Sequence, residues 1–219
     1  MKRFLPLIFA PLLFTGLAMA QNLSPEQLVQ KITDDVLAAV KSDKQLAAGD
    51  KQKAVKVAEE KVLPYVDFEY ATRLAVGRAW RQATPEQKKE LVSQFRNMLV
   101  RTYSNSISAY EGQTLKVLPS RSNDKSGDES TVRTQFVRSG GQPVGIDFQM
   151  HKAGDAWKVY DINVEGVSLV LTYRSEFDAI VKQQGIDGLI KALAQKNIPA
   201  AGVGASAPAT GGAPKSGTK

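Results

Sequence analysis

The 219-residue chain has no cysteine, which excludes disulfides, thiol nucleophiles and cysteine-bound metals and leaves a conventional apolar core to hold the fold. It has one histidine, His151, beside Lys152. With no serine or aspartate arrangement of nucleophile type near it in sequence, His151 reads as a plain surface residue. Metal-binding patterns are also missing, because Asn123–Asp128 lacks the glutamate and the regular oxygen spacing of a calcium loop and reads as an exposed turn. Beyond residue 20 no stretch approaches eighteen uninterrupted apolar residues, so the mature chain is expected to be soluble. No concentrated Lys/Arg stripe is present, which argues against nucleic acid as a partner.

At the N-terminus, Lys2-Arg3 precedes an apolar run from Phe4 to Leu17, and Ala18-Met19-Ala20 gives a small-x-small cleavage pattern. Residues 1–20 are therefore expected to be a secretory signal peptide cleaved after Ala20. The run is broken by Pro6, Pro11 and Gly16 and is short for a bilayer core of about 30 Å. Removing Lys2 and Arg3 lowers the formal charge from +7 to +5. That balance suits anionic headgroups or acidic protein surfaces, and equally suits simple solubility. Residues 199–219 are almost entirely Ala, Gly, Pro, Ser, Thr and Lys, without period or aromatic residue, and are expected to be a disordered tail. One domain remains, residues 21–198.

Its first half has helical period. Ser24-Pro25-Glu26-Gln27 and Thr84-Pro85-Glu86-Gln87 each set a capping hydroxyl, proline at N1 and glutamine at N3. Leu23 and Leu28 form a hydrophobic staple at the first start, whose apolar positions continue through Ile32, Val36 and Val40. From the second start, Leu91, Phe95, Met98, Leu99, Tyr103, Ile107 and Tyr110 recur at three- and four-residue steps and predict one long helix. Further helices are predicted over 54–63, ending near Pro64, and over 68–80, the latter with Ala71, Leu74, Ala75 and Gly77 on one face.

The second half alternates. Val132, Thr134 and Phe136 share one strand face, and Val144, Ile146, Phe148 and Met150 share a face of the next, after a turn at Ser139–Gln142. A strand from Trp157 to Val164 carries apolar groups on both faces, Trp157 and Val159 on one and Tyr160, Ile162 and Val164 on the other. Leu115–Leu118 predicts an earlier strand, and helices resume over 173–182 and 186–196. The fold class is α+β: a curved antiparallel sheet of about four strands wrapped by helices, cone-like, able to enclose an apolar cavity.

The block from Ala156 to Phe177, in which an apolar strand turns at Glu165-Gly166 into an amphipathic segment, closely resembles the signature of the periplasmic phospholipid carriers of the Mla, or toluene-tolerance, family. Tyr70–Trp80, Ala83–Gln87, Phe95–Tyr103, Tyr110–Gln113 and Gly185–Leu189 match the same pattern. The resemblance implies a soluble periplasmic shuttle related in fold to the nuclear-transport-factor cone, and a shuttle has reason to be monomeric. Its partners would be phospholipid, an inner-membrane Mla ABC transporter complex and an outer-membrane lipoprotein-porin complex. Phospholipid would be cargo, with no cofactor, and lipid asymmetry of the outer membrane would be its purpose.

Such a carrier must be deep. At about 0.8 kcal/mol per methylene, two sixteen-carbon tails cost on the order of 25 kcal/mol to leave in water. Tails are therefore expected inside and the headgroup at a hydrated mouth. The converging faces nominate Phe68, Ala71, Leu74, Ala75, Phe95, Leu99, Tyr103, Ile107, Phe136, Ile146, Phe148, Trp157, Tyr160, Val164, Val167, Leu169, Val170 and Phe177 as lining. Sequence period does not separate a cavity wall from a filled core. Arg73, Arg101 and Arg174 are candidates for a phosphate at the mouth, and equally for solvated surface positions.

Two other classes compete with the carrier. A cone-fold hydrolase or isomerase would need an acid or base in the pocket, for which Asp147, Tyr160 and Asp161 are the candidates. A protein-interaction module without ligand would have a filled interior. The expectation is that the protein is not an enzyme.

Overall fold

The computed structural model describes residues 23–110, 113–119, 121–122, 127–138 and 142–197. The expected signal peptide and tail lie outside them, as do most of the turns expected at Asn123–Asp128 and Ser139–Gln142. Helix α1 (Pro25–Ser42) starts with the capping box read from sequence, in which the Gln27 amide donates to Ser24 Oγ at 3.2 Å and the Ser24 amide to Gln27 Oε1 at 2.9 Å. α2 (Lys44–Ala47) and α3 (Lys51–Val57) follow, capped by Asp43 and Asp50. The helix expected over 54–63 thus begins earlier, and it passes through a π turn (Ala58–Val62) into a 3-10 turn (Leu63–Tyr65) around Pro64.

α4 (Phe68–Val76) stops short of the expected Trp80, because Gly77 adopts φ +62 and the chain continues as a 3-10 turn to Arg81. α5 (Pro85–Tyr103) begins with the second capping box, and its α-helical part ends at Tyr103, with a 3-10 segment over Ser104–Tyr110 where one long helix was expected.

Strands β1 (Gln113–Val117), β2 (Arg121–Ser122), β3 (Glu129–Arg138), β4 (Val144–Ala153), β5 (Ala156–Val164) and β6 (Val167–Ser168) form one antiparallel sheet ordered β1-β3-β4-β5-β6, with β2 also pairing β3. Four of these strands were legible in sequence; β2 and β6 have only two residues each. Helices α6 (Leu169–Thr172) and α7 (Arg174–Asn197) close the chain. A kink at Gly185 divides α7 where the sequence places the break between two helices.

The expected two-faced β5 is corrected by a bulge. Gln149 pairs with Asp161, yet its neighbour Met150 pairs with Val159, so Tyr160 is an extra residue. Alternation is reset at that point. Ile162 and Val164 consequently share a sheet face with Trp157 and Val159, while Tyr160 leaves that alternation.

This apolar face takes α1 across it, with Leu28 and Val29 packing against Val132, Phe136, Ile146, Met150 and Val159. A separate helical cluster joins α4, α5, α6 and α7 around Phe95, Phe177, Leu189 and Leu193. A third joins the end of α1 to α2, α3 and Ile107. Apolar packing in this domain is thus divided among three bodies, where a single contiguous core is usual.

Candidate functional site

The β5–β6 junction ties the sheet to the helical cluster. Glu165 and Gly166, at φ +51 and +82, make a two-residue turn of the kind that suits the strand twist. A non-glycine residue at positive φ needs support. Glu165 has it, since its amide donates to the Gly145 carbonyl at 2.9 Å and its carboxylate accepts from the Gly145 amide. Two residues further on, Ser168 caps α6, its hydroxyl accepting from the Leu171 amide at 2.9 Å.

Burial along one row of the sheet's apolar face falls steadily across this junction. Thr134, Ile146, Val164 and Val167 stand side by side in register. Ile146 is 5% exposed, Val164 is half-buried, and Val167 is 60% exposed. Val144 and Leu171 are also exposed. An apolar surface therefore opens toward solvent where the sheet meets α6.

The nominated lining residues divide accordingly. Ala71, Ala75, Phe95, Val170 and Phe177 are buried within the helical cluster, with Leu74 and Leu99 packed against it. Phe136 and Ile146 are buried in the sheet cluster, and Phe148 and Trp157 pack on it. Ile107 belongs to the third cluster. Phe68, Tyr103, Val164 and Leu169 are half-buried and belong to none of the three.

Tyr160 stands apart from the others. Its ring lies 4.6 Å from that of Tyr70 and 5.7 Å from His151, and burial, with the nearby Glu129 charge, pushes its hydroxyl up to about 12. The three arginines do not converge on one site. Arg73 stacks over Tyr70 at 4.4 Å, Arg101 donates to the Asn197 carbonyl, and the Arg174 guanidinium lies against Gly77.

Sequence reading missed the environment of His151. It is largely buried, with Nε2 2.9 Å from Asp67 Oδ2, so the surface assignment is corrected. Asp67 caps α4 by accepting from the Tyr70 amide at 2.8 Å, and its own amide donates to the Val159 carbonyl at 2.9 Å, which brings the carboxylate beside the strand. The partner comes from 84 residues away, beyond the reach of a local pattern. Sequence reading also passed over Tyr173. Its ring meets Phe95 edge-on at 5.5 Å and stacks on Phe177 at 5.7 Å, and its hydroxyl lies 3.3 Å from that of Tyr103. Burial, then the bond to Tyr103, raises the Tyr173 hydroxyl well above the usual tyrosine range.

Of the acid–base candidates, Asp161 is buried but fully engaged, accepting from the amides of Ile162 and Val170 and from the Ser168 hydroxyl. Asp147 lies on the opposite, polar sheet face, paired in register with Arg133 and Asn163. Among the described residues no His/Asp/Glu cluster has metal-site geometry, and no helix is long and apolar enough to cross a membrane.

Residues 30–195 match the family model described as MlaC protein. The chain belongs to the MlaC family. Its relatives include the intermembrane phospholipid transport system binding protein MlaC of Haemophilus influenzae, 25% identical over 196 residues, covering 87% of this chain and 90% of the relative. The toluene tolerance protein ttg2D of Pseudomonas putida is 23% identical over 165 residues, covering 75% and 76%. Among solved structures, a phospholipid-binding protein from Ralstonia solanacearum, determined in complex with a phospholipid, is 34% identical. It covers 80% of this chain and 97% of its own, with a TM-score of 0.72. The family resemblance read from the Ala156–Phe177 block, and the mixed helix–sheet fold, are both borne out. Named MlaC relatives are binding and transport proteins, consistent with a non-enzymatic role.

Proposed function

We propose that this protein is a phospholipid carrier. The observation that carries the reading is the likeness, over most of the chain, to the Ralstonia solanacearum protein held in complex with a phospholipid. The divided packing of the fold supports it, because apolar side chains left half-buried outside the three clusters give hydrocarbon tails a surface to cover. Phe68, Tyr103, Val164 and Leu169 are the core of the lining, with Leu74, Leu99, Phe148 and Trp157 at its edges. The buried nominees, Ala71, Ala75, Phe95, Val170 and Phe177 in the helical cluster and Phe136 and Ile146 in the sheet cluster, belong to packed core. The opening at Val144, Val167 and Leu171 is the mouth, where a headgroup stays hydrated at little cost.

The carrier works in the periplasm after export by its N-terminal signal, with the low-complexity tail lying outside the lipid-binding domain. It exchanges lipid with the inner-membrane Mla transporter and the outer-membrane lipoprotein-porin complex, and it performs no catalysis. Organic extraction and mass spectrometry of the purified protein test the reading. About one equivalent of co-purifying phospholipid is expected; protein free of lipid after expression in a bacterium that exports it would reject the carrier assignment.

A further inference from the structure

We propose that the paired hydroxyls of Tyr103 and Tyr173 form a polar subsite for the ester carbonyl of the bound phospholipid, where the glycerol backbone joins the tails. The inference rests on the carrier reading above. On α5, Phe95, Leu99 and Tyr103 follow one ridge, and burial falls along it from the fully enclosed Phe95 to the half-buried Leu99 and Tyr103. Tyr173 is fixed from the other side by its ring contacts with Phe95 and Phe177. The two hydroxyls are thereby held where the helical cluster ends and its surface becomes half-buried.

Their mutual separation of 3.3 Å is long for an O–H···O bond, whose usual value is about 2.7–2.8 Å. Neither hydroxyl has another hydrogen-bond partner among the described residues. Two hydroxyls hold two protons and share only one, so a donor remains unused in partly buried surroundings where an unmet polar group is costly.

The acceptor that fits is neutral and planar. Tyr173 stays protonated at any physiological pH, since burial and the bond to Tyr103 favour its neutral form. A phosphate would call for a cation, but Arg73 is stacked over Tyr70, Arg101 donates to the Asn197 carbonyl, and the Arg174 guanidinium lies over Gly77. An ester carbonyl has acceptor lone pairs, no charge, and sits one bond from the tails that the half-buried Leu99, one turn before Tyr103, would flank.

The test uses the full chain stripped of lipid and offered vesicles containing equimolar diacyl and dialkyl, ether-linked, phosphatidylglycerol of matched chain length. Bound lipid is then extracted and counted by mass spectrometry. The native chain is expected to favour the diacyl form about fivefold, the worth of one neutral hydrogen bond. Tyr103→Phe/Tyr173→Phe is expected to take both forms equally. Equal uptake by the native chain, or an undiminished preference in the double variant, overturns the subsite and leaves the carrier reading intact. Uptake of neither lipid overturns both. The native ratio needs no variant, and Tyr103→Phe alone, at a half-buried position, provides the comparison if the double variant does not fold.

Discussion

Asp161 and Ser168 fasten the last long strand to the helix that follows it. The Ser168 hydroxyl donates to one carboxylate oxygen of Asp161, and the other oxygen accepts from the amides of Ile162 at 2.8 Å and Val170 at 3.0 Å. Deleting a buried carboxylate that accepts from three donors strands those donors. Asp161→Ala is expected to cost about 3 kcal/mol in urea denaturation. Asp161→Asn, which keeps the oxygen facing the two amides, should cost clearly less.

Packed core and proposed lining are separable by substitution. Phe95 is fully enclosed in the helical cluster, and Phe95→Ala should destabilise the fold by about 3–5 kcal/mol. Val164 is half-buried at the opening, so the charge of Val164→Glu can be hydrated once lipid has left. Circular dichroism is expected to show a folded Val164→Glu domain, and lipid extraction to show it empty. An unfolded variant would place Val164 in the core instead.

Gly77 ends α4 at φ +62, a region that side chains with a Cβ rarely adopt, and an added Cβ would meet Arg174 Nε at 3.3 Å. Gly77→Ala should therefore destabilise by about 1–2 kcal/mol in chemical denaturation. Adding Arg174→Ala removes the contact but not the backbone strain, so most of the loss should persist.

Tyr160 makes stability sensitive to alkali. Its hydroxyl titrates at about 12 in the fold, against about 10 for an unfolded tyrosine, because burial disfavours the phenolate. The neutral form is thus the one the fold stabilises. That contribution is complete below about pH 10 and is lost as pH rises toward about 12. Melting temperatures followed from pH 9 to 12 should fall, and fall less steeply in Tyr160→Phe.

Local chemistry made much of this protein readable. The hydroxyl-proline-glutamine starts at Ser24 and Thr84 form the capping boxes they predict, since all the atoms involved lie within four residues. The alternation of Val132, Thr134 and Phe136 places all three in the buried face for the same reason. The Ala156–Phe177 block was enough to indicate the family.

Tertiary structure decided what spacing does not encode. One extra residue at Tyr160 moved Ile162 and Val164 to the opposite face from the one expected, because a bulge resets alternation and depends on the partner strand. Asp67 reached His151, and Tyr103 reached Tyr173, across 84 and 70 residues of chain. The sequence by itself determined which residues are apolar, where helices begin and which family the chain joins, all of which follow from local composition and order. Only the folded chain decided which apolar residues fill the core and which stay half-buried, because that depends on how three separately packed clusters meet, and no periodicity within one element records the distance to another.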